Sequence, residues 1–347
     1  MNRSIMKECK NNSILFTVGV PVLLMLFATN LFWGSVEIPF STVFSMLCGE
    51  DSENVAWQTI LFDVRLPQAL TALLAGAAIS VSGLVLQTLF NNPLAGPEVL
   101  GINNGAAFGV AVVMLLSGGA FTFASVGVTG YLAVLFGAFL GAVAIMAVIQ
   151  LLSTMLRDKI FLLIAGVAIG YVTSSAIVLL NYFASTEGVH SYMLWGMGSF
   201  GSVSMEQMPL FASLLLFVML LALMLMKPLN ALLLGDAYAR NLGIGILRTR
   251  VMALAVAGLL SAVVTAYCGP VSFLGLAVPH IARMAFCSNN HNVLIPATML
   301  LGGCVALSCN AICQLPGSGT FLPLSAVTAL IGAPVVIYVV LKNRLAR

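Results

Sequence analysis

Hydrophobic and polar positions in this chain are segregated on the scale of whole helices. Ten apolar stretches fall at Ile14–Trp33, Leu66–Phe90, Pro97–Leu116, Ala124–Thr154, Phe161–Tyr182, Met208–Met226, Val251–Tyr267, Phe273–Phe286, Val293–Gln314 and Phe321–Leu341. Crossing a bilayer core takes about 20 helical residues, and almost all ten stretches are long enough. The runs are continuous and lack the period of two that barrel strands need, so the chain reads as all-α. Phe273–Phe286 is short and carries Pro279, which predicts a span broken or buried by its neighbours. A further apolar piece, His190–Phe200, reads as a re-entrant or surface helix.

Composition agrees. Of the 347 residues 61% are hydrophobic and 7% charged, where a soluble domain is about a quarter charged. The chain is a polytopic membrane protein, so its work is transport, conduction or chemistry on lipid. The first stretch follows Arg3, Lys7 and Lys10. It reads as an anchoring helix, since it is too long for a signal-peptide core and no small-x-small cleavage site closes it. Residues 1–347 form a single transmembrane domain.

Charge sets the orientation. With both termini cytoplasmic and ten crossings, every basic residue except Arg65 lies inside, while Glu37, Glu50, Asp51, Glu53, Asp63, Glu187 and Glu206 lie outside. The net charge of +3 then reflects inner loops meeting anionic lipid, with no nucleic-acid partner. Cys304, Cys309 and Cys313 share the ninth stretch and read as small packing residues in preference to a soft-metal site. No metal site and no structural disulfide is expected.

No Asp or Glu falls deep in any stretch, which argues against an ion-coupled carrier. No G-x-x-x-x-G-K-[ST] loop is present to hold ATP. A transporter with neither device needs an engine on another polypeptide, or it is a passive channel. The loop 227–250, KPLNALLLGDAYARNLGIGILRTR, is where that engine docks or is simply a surface amphipathic helix. It places Gly235, Ala237 and Ala239 as a small-residue ridge beside Asp236 and Arg240 at i, i+4.

Four ordered motifs carry a resemblance. The run from Arg65 to Gly109 contains Arg65, Pro67, Gly83, Gln87, Asn92-Pro93-Leu94-Ala95, Pro97, Gly101 and Gly105. GPVSFLGLAVPHIARM supplies Gly269, Phe273, Gly275, Leu276, Pro279, His280 and Arg283. LGDAYARNLGI and LPLSAVTALIGAPVVIYVV complete the set. Together they resemble the FecCD/BtuC-like permeases of iron-siderophore, haem and cobalamin ABC importers, over nearly the whole chain.

The resemblance implies a type II importer permease with an inverted repeat, in a bacterial cytoplasmic membrane. The chain would not be an enzyme and would have no catalytic residue or cofactor. Its partners would be a second copy of itself, two ATPase subunits carrying ATP and Mg on the cytoplasmic face, and an extracytoplasmic binding protein. Leu234, Gly235, Asp236, Ala237, Ala239, Arg240, Leu242 and Gly243 would form the ATPase-coupling helix. Arg65 would dock the binding protein. The repeat has a faint echo in GPEVLG (Gly96–Gly101) and GPVSFLG (Gly269–Gly275).

The motif residues also have physical readings. Gly76 and Gly83 make a face that permits close helix approach. Asn91, Asn92, Asn103 and Asn104 can satisfy backbone groups freed where helices break. His280 and Arg283 support the coupling helix through its carbonyls or Asp236, or else form a structural hydrogen-bond clamp. His190 and His291 read as solvated. Met193 and Met197 read as packing residues.

The chain departs from the family at its outer surface. Gln68 stands where a second arginine is usual, Asn310 and Gln314 where an aspartate and an arginine are usual, and Gly319-Thr320-Phe321 where an acid is usual. Loss of Arg and Asp together reads as a charge pair removed as a unit. The expected cargo is an iron complex, siderophore or haem, with cobalamin as the alternative. An ion-coupled carrier or a channel is the reading from another class.

Overall fold

The computed structural model describes residues 2–50, 54–116, 128–156, 159–314 and 322–345. Its helices are α1 (Asn2–Phe32), α2 (Phe40–Leu47), α3 (Val55–Thr59), α4 (Leu66–Phe90), α5 (Ile102–Leu116), α6 (Val128–Met155), α7 (Lys159–Phe183), α8 (Thr186–Gly196), α9 (Met208–Met224), α10 (Met226–Leu233), α11 (Asp236–Asn241), α12 (Ile246–Cys268), α13 (Leu274–Phe286), α14 (His291–Cys313) and α15 (Leu324–Leu345). A π-helical turn, Ile60–Arg65, joins α3 to α4.

Six helices are long and apolar enough to cross a membrane, and α9 with α10, bent by 48°, makes a seventh span. Three shorter apolar helices lie within α5, α13 and α15. Together they correspond to the ten stretches read from sequence. The third span starts later than expected, at Ile102, because residues 92–101 form turns that end at Gly101 with φ +75. The expected starts at Ala124 and Phe321 lie outside the described residues. Helices α2, α3, α10 and α11 are too short to leave a span signal.

Burial sorts the spans. Helices α4 and α12 are buried over most of their length, whereas α1, α6 and α7 are mostly exposed. Helix α4 touches α9, α12, α13 and α14, so it is apolar all round, as an enclosed helix should be. Close approach rests on glycine. A Cβ on Gly83 would overlap the Gly275 carbonyl of α13, and one on Gly76 would overlap Gly302 of α14. The small-residue face of α4 therefore serves two different helices. Gly105 and Gly109 of α5 meet Gly141 and Gly137 of α6 in the same way.

Helix α13 is continuous through Pro279 and spans about 20 Å at about 1.5 Å per residue. It is short because left-handed residues flank it, Phe273 (φ 64) before and Cys287 (φ 46) after. Its first seven residues, Leu274 to His280, are buried by neighbours.

Candidate coupling and docking sites

Helices α10 and α11 lie at the end of the bundle where α4 and α13 terminate. Gly235, at φ +100, separates them, and Gly243, at φ +77, closes α11. Both conformations favour glycine, which lets the chain turn twice within ten residues. Helix α11 is only six residues long. Its exposed side carries Leu234, Ala237, Tyr238, Arg240 and Leu242, with Leu234 64% exposed and Tyr238 51%.

The expected ridge of Gly235, Ala237 and Ala239 does not form. Ala239 is fully buried, whereas Ala237 is exposed. Residues two apart point to opposite sides of a helix, so three small residues at alternate positions share no face. Leu234 at the end of α10, Tyr238 within α11 and Leu242 at its C-terminal cap are exposed and make the apolar strip instead.

His280 and Arg283 do not reach α11. His280 Nε2 donates to the Pro93 carbonyl at 2.9 Å. Arg283 Nη1 donates to Gln87 Oε1 at 2.6 Å, and Gln87 Nε2 donates to the Leu276 carbonyl at 3.2 Å. Asn92 Oδ1 accepts the Leu94 amide at 2.9 Å, and the Ala95 amide donates to the Asn92 carbonyl at 3.1 Å. Helix α13, the end of α4 and the Asn92–Ala95 turn form one clamped unit. The structural clamp is the geometry that these side chains have.

A residue read as solvated makes the tie to α10. His291 is 1% exposed. Asn230 Oδ1, on α10, accepts both the His291 amide and Nδ1, each at 2.8 Å. That fixes the Nδ1–H tautomer and leaves Nε2 as an acceptor 2.8 Å from the Thr88 hydroxyl of α4, whose single proton it shares with the Leu84 carbonyl at 3.0 Å. Asn230 Nδ2 donates to Asn290 Oδ1 at 2.9 Å, and Asn290 caps α14. Helices α10, α4 and α14 are joined at one imidazole. The sequence signal was weak, a lone histidine after two asparagines.

Arg65 also differs from expectation. It is 3% exposed and offers no surface to a second protein. Its guanidinium donates to the carbonyls of Leu31 at 2.8 Å, Phe32 at 3.3 Å and Val36. The end of α1 leaves carbonyls without helical partners, and a fork of donors satisfies several at once. Nearby, Gln68 Nε2 donates to Asn310 Oδ1 at 3.0 Å, and Asn310 Nδ2 donates to Asn30 Oδ1 at 2.8 Å. Gln68 and Asn310, two of the positions that depart from the family pattern, therefore touch in a neutral pair. Gly319-Thr320-Phe321 lies outside the described residues.

The two Gly-Pro segments meet at the breaks before α5 and α13. Glu98 Oε1 accepts the Phe273 amide at 2.6 Å, and Gly275 packs beside Pro97. Asn103 Oδ1 accepts from the Ser261 and Thr265 hydroxyls, each at 3.1 Å, and Asn104 Nδ2 donates to the Gly170 carbonyl at 3.1 Å. Pro67 is buried in the first turn of α4, and Gly105 seats α5 on α6. Met193 and Met197 are exposed and do not fill the core of this chain.

Residues 22–342 match the model of the FecCD transport family. The vitamin B12 import system permease protein BtuC of Klebsiella pneumoniae subsp. pneumoniae is 37% identical over 293 residues, covering 83% of this chain and 84% of that protein. The hemin transport system permease protein HmuU of Yersinia pestis is 31% identical over 330 residues, covering 95% of each. A solved metal-chelate type ABC transporter in an inward-facing conformation superposes with a TM-score of 0.81 at 29% identity, over 95% of this chain and 99% of that one.

Proposed function

The chain belongs to the FecCD transport family and is a multi-pass ABC importer permease of the BtuC type, and we propose that it carries an iron complex, a siderophore or haem, inward across a bacterial cytoplasmic membrane. The haem reading draws on the hemin permease that matches over 95% of both chains. Cobalamin is the second reading, favoured by the vitamin B12 permease at 37% identity.

In this reading the chain pairs with a second copy of itself, with two ATPase subunits and with an extracytoplasmic binding protein. Both termini and the α10–α11 segment are cytoplasmic, as the distribution of basic residues favours. ATP and Mg are held by the ATPase subunits, and hydrolysis occurs there.

The observation that carries the coupling role is the join at His291. An exposed apolar strip, Leu234, Tyr238 and Leu242, stands on a short helix pair. That pair is tied through Asn230 and His291 to Thr88 in the most enclosed span. A protein that moves the strip therefore moves α4, and with it the Gln87–Arg283 clamp on α13. Gly235 and Gly243, both at positive φ, turn the chain on either side of α11.

Proteoliposomes holding the chain, its ATPase and its binding protein test the proposal. Uptake of a ferric siderophore, haem and cobalamin is followed side by side with and without ATP. Accumulation of an iron complex that needs ATP and both partners supports the reading. Accumulation of cobalamin alone replaces it with the second one, and uptake that follows an ion gradient without ATP overturns both.

A further inference from the structure

Between the C-terminal ends of α4 and α13, the N-terminal end of α14 and helix α10 lies a cleft of about 860 Å³. Its wall is rich in side-chain amides, among them Asn91, Asn92, Asn230 and Asn289, and includes Arg283. Among the described residues no carboxylate lines it. Among the described residues Arg283 is its one permanent cation, and one of its N–H groups is bound to the neutral Gln87 Oε1. The remaining guanidinium donors find no acceptor among the described residues.

That is an unusual way to hold an arginine. The guanidinium is a planar fork of five donors suited to a carboxylate or phosphate. The ends of α4 and α13 offer only fractional negative charge, about half a unit each before solvent screening. Asn91 and Asn289 face the same space, and their side-chain amides bond nothing among the described residues. The cleft is open, mixes amide and apolar side chains, and among the described residues offers Arg283 no anion.

We propose that an acidic side chain of the ATPase partner enters this cleft and pairs with Arg283. The inference rests on the reading of Leu234–Gly243 as the ATPase-docking segment. Leu234 belongs both to the cleft wall and to the exposed strip, so a protein seated on the strip lies over the cleft. The strip supplies apolar area that does not fix a register, and a buried ion pair does. The pair would also give the ATPase a second hold, directly on α13 and through Gln87 on α4.

The test uses the permease assembled with its ATPase, with Cys9, Cys48 and Cys287 replaced by serine. Single cysteines are placed at Asn289, a cleft position with no hydrogen bond, and at Leu234 on the strip. Maleimide labelling is timed with and without ATPase. The expected result is at least tenfold slower labelling at both sites in the complex. A second arm replaces surface Asp and Glu residues of the ATPase by Ala, each measured against the parent permease and Arg283→Gln. One acid should weaken assembly about tenfold against the parent and have no further effect against Arg283→Gln.

Protection at Leu234→Cys with none at Asn289→Cys overturns the cleft pairing and leaves the docking segment standing. Protection at neither site overturns the docking reading itself. Protection of Asn289→Cys by inorganic phosphate or by phosphatidylglycerol vesicles without ATPase, with no coupled acid in the scan, assigns the cleft to a phosphate group and overturns the proposal.

Discussion

Glu98 accepts the backbone N–H of Phe273 at 2.6 Å, so the break before α5 is fastened to the break before α13. Phe273 holds a left-handed conformation, φ 64, that costs a non-glycine residue about 1–2 kcal/mol. The carboxylate fixes the amide in that position. Glu98→Gln keeps an acceptor and should lower thermal stability little. Glu98→Ala strands the amide and should cost about 1–3 kcal/mol. Melting curves of the purified variants in detergent separate the two.

Gly83→Ala puts a methyl group on the carbonyl of Gly275, backbone against backbone, with nothing flexible to yield. It should abolish folded protein in the membrane. Gly196→Ala, where no atom lies within 4 Å, should express and transport normally. Fluorescence size-exclusion profiles of both variants check the contrast.

Gln68 and Asn310 form a neutral pair at 3.0 Å in a buried site. Asn310→Asp alone introduces a buried charge with no cation opposite and should cost about 3 kcal/mol or more. The double variant Gln68→Arg, Asn310→Asp should recover most of that loss. A double-mutant cycle on unfolding temperature measures the coupling.

Arg65→Ala removes three hydrogen bonds, two to the end of α1 and one to the Val36 carbonyl just after it. Its effect should appear as lost stability, with binding-protein affinity of the folded fraction unchanged. If affinity falls while the melting temperature holds, the buried role of Arg65 is wrong.

Asn230→Ala cuts the link between α10 and His291 while leaving the exposed strip intact. ATPase assembly and basal hydrolysis should persist, and cargo imported per ATP should fall several-fold. Equal loss of hydrolysis and uptake would show that the link is needed for assembly and not for transmission.

Much of the fold was legible because span length and apolarity are local properties. Leu66–Phe90 agrees to the residue with α4, and the other described boundaries agree within five residues, except that α1 begins at Asn2 and not at Ile14. The short helices α10 and α11 left no periodic signal, yet Gly235 and Gly243 marked the segment. The face of α11 was misjudged, since the reading grouped small residues and did not follow the 100° step between neighbours.

The sequence by itself determined that the chain crosses the membrane about ten times, which side is basic, and that Gly76 and Gly83 sit at a helix contact. These follow from the cost of placing charge and unpaired backbone in lipid. Only the tertiary structure decided which polar side chains meet. Arg65 moved from a docking surface to the carbonyls of α1, and His291 moved from solvent to the junction of α4, α10 and α14. A polar group in a low-dielectric bundle takes whichever partner the fold brings within about 3 Å. Partners such as Thr88 and His291, 203 residues apart, leave no trace in local pattern.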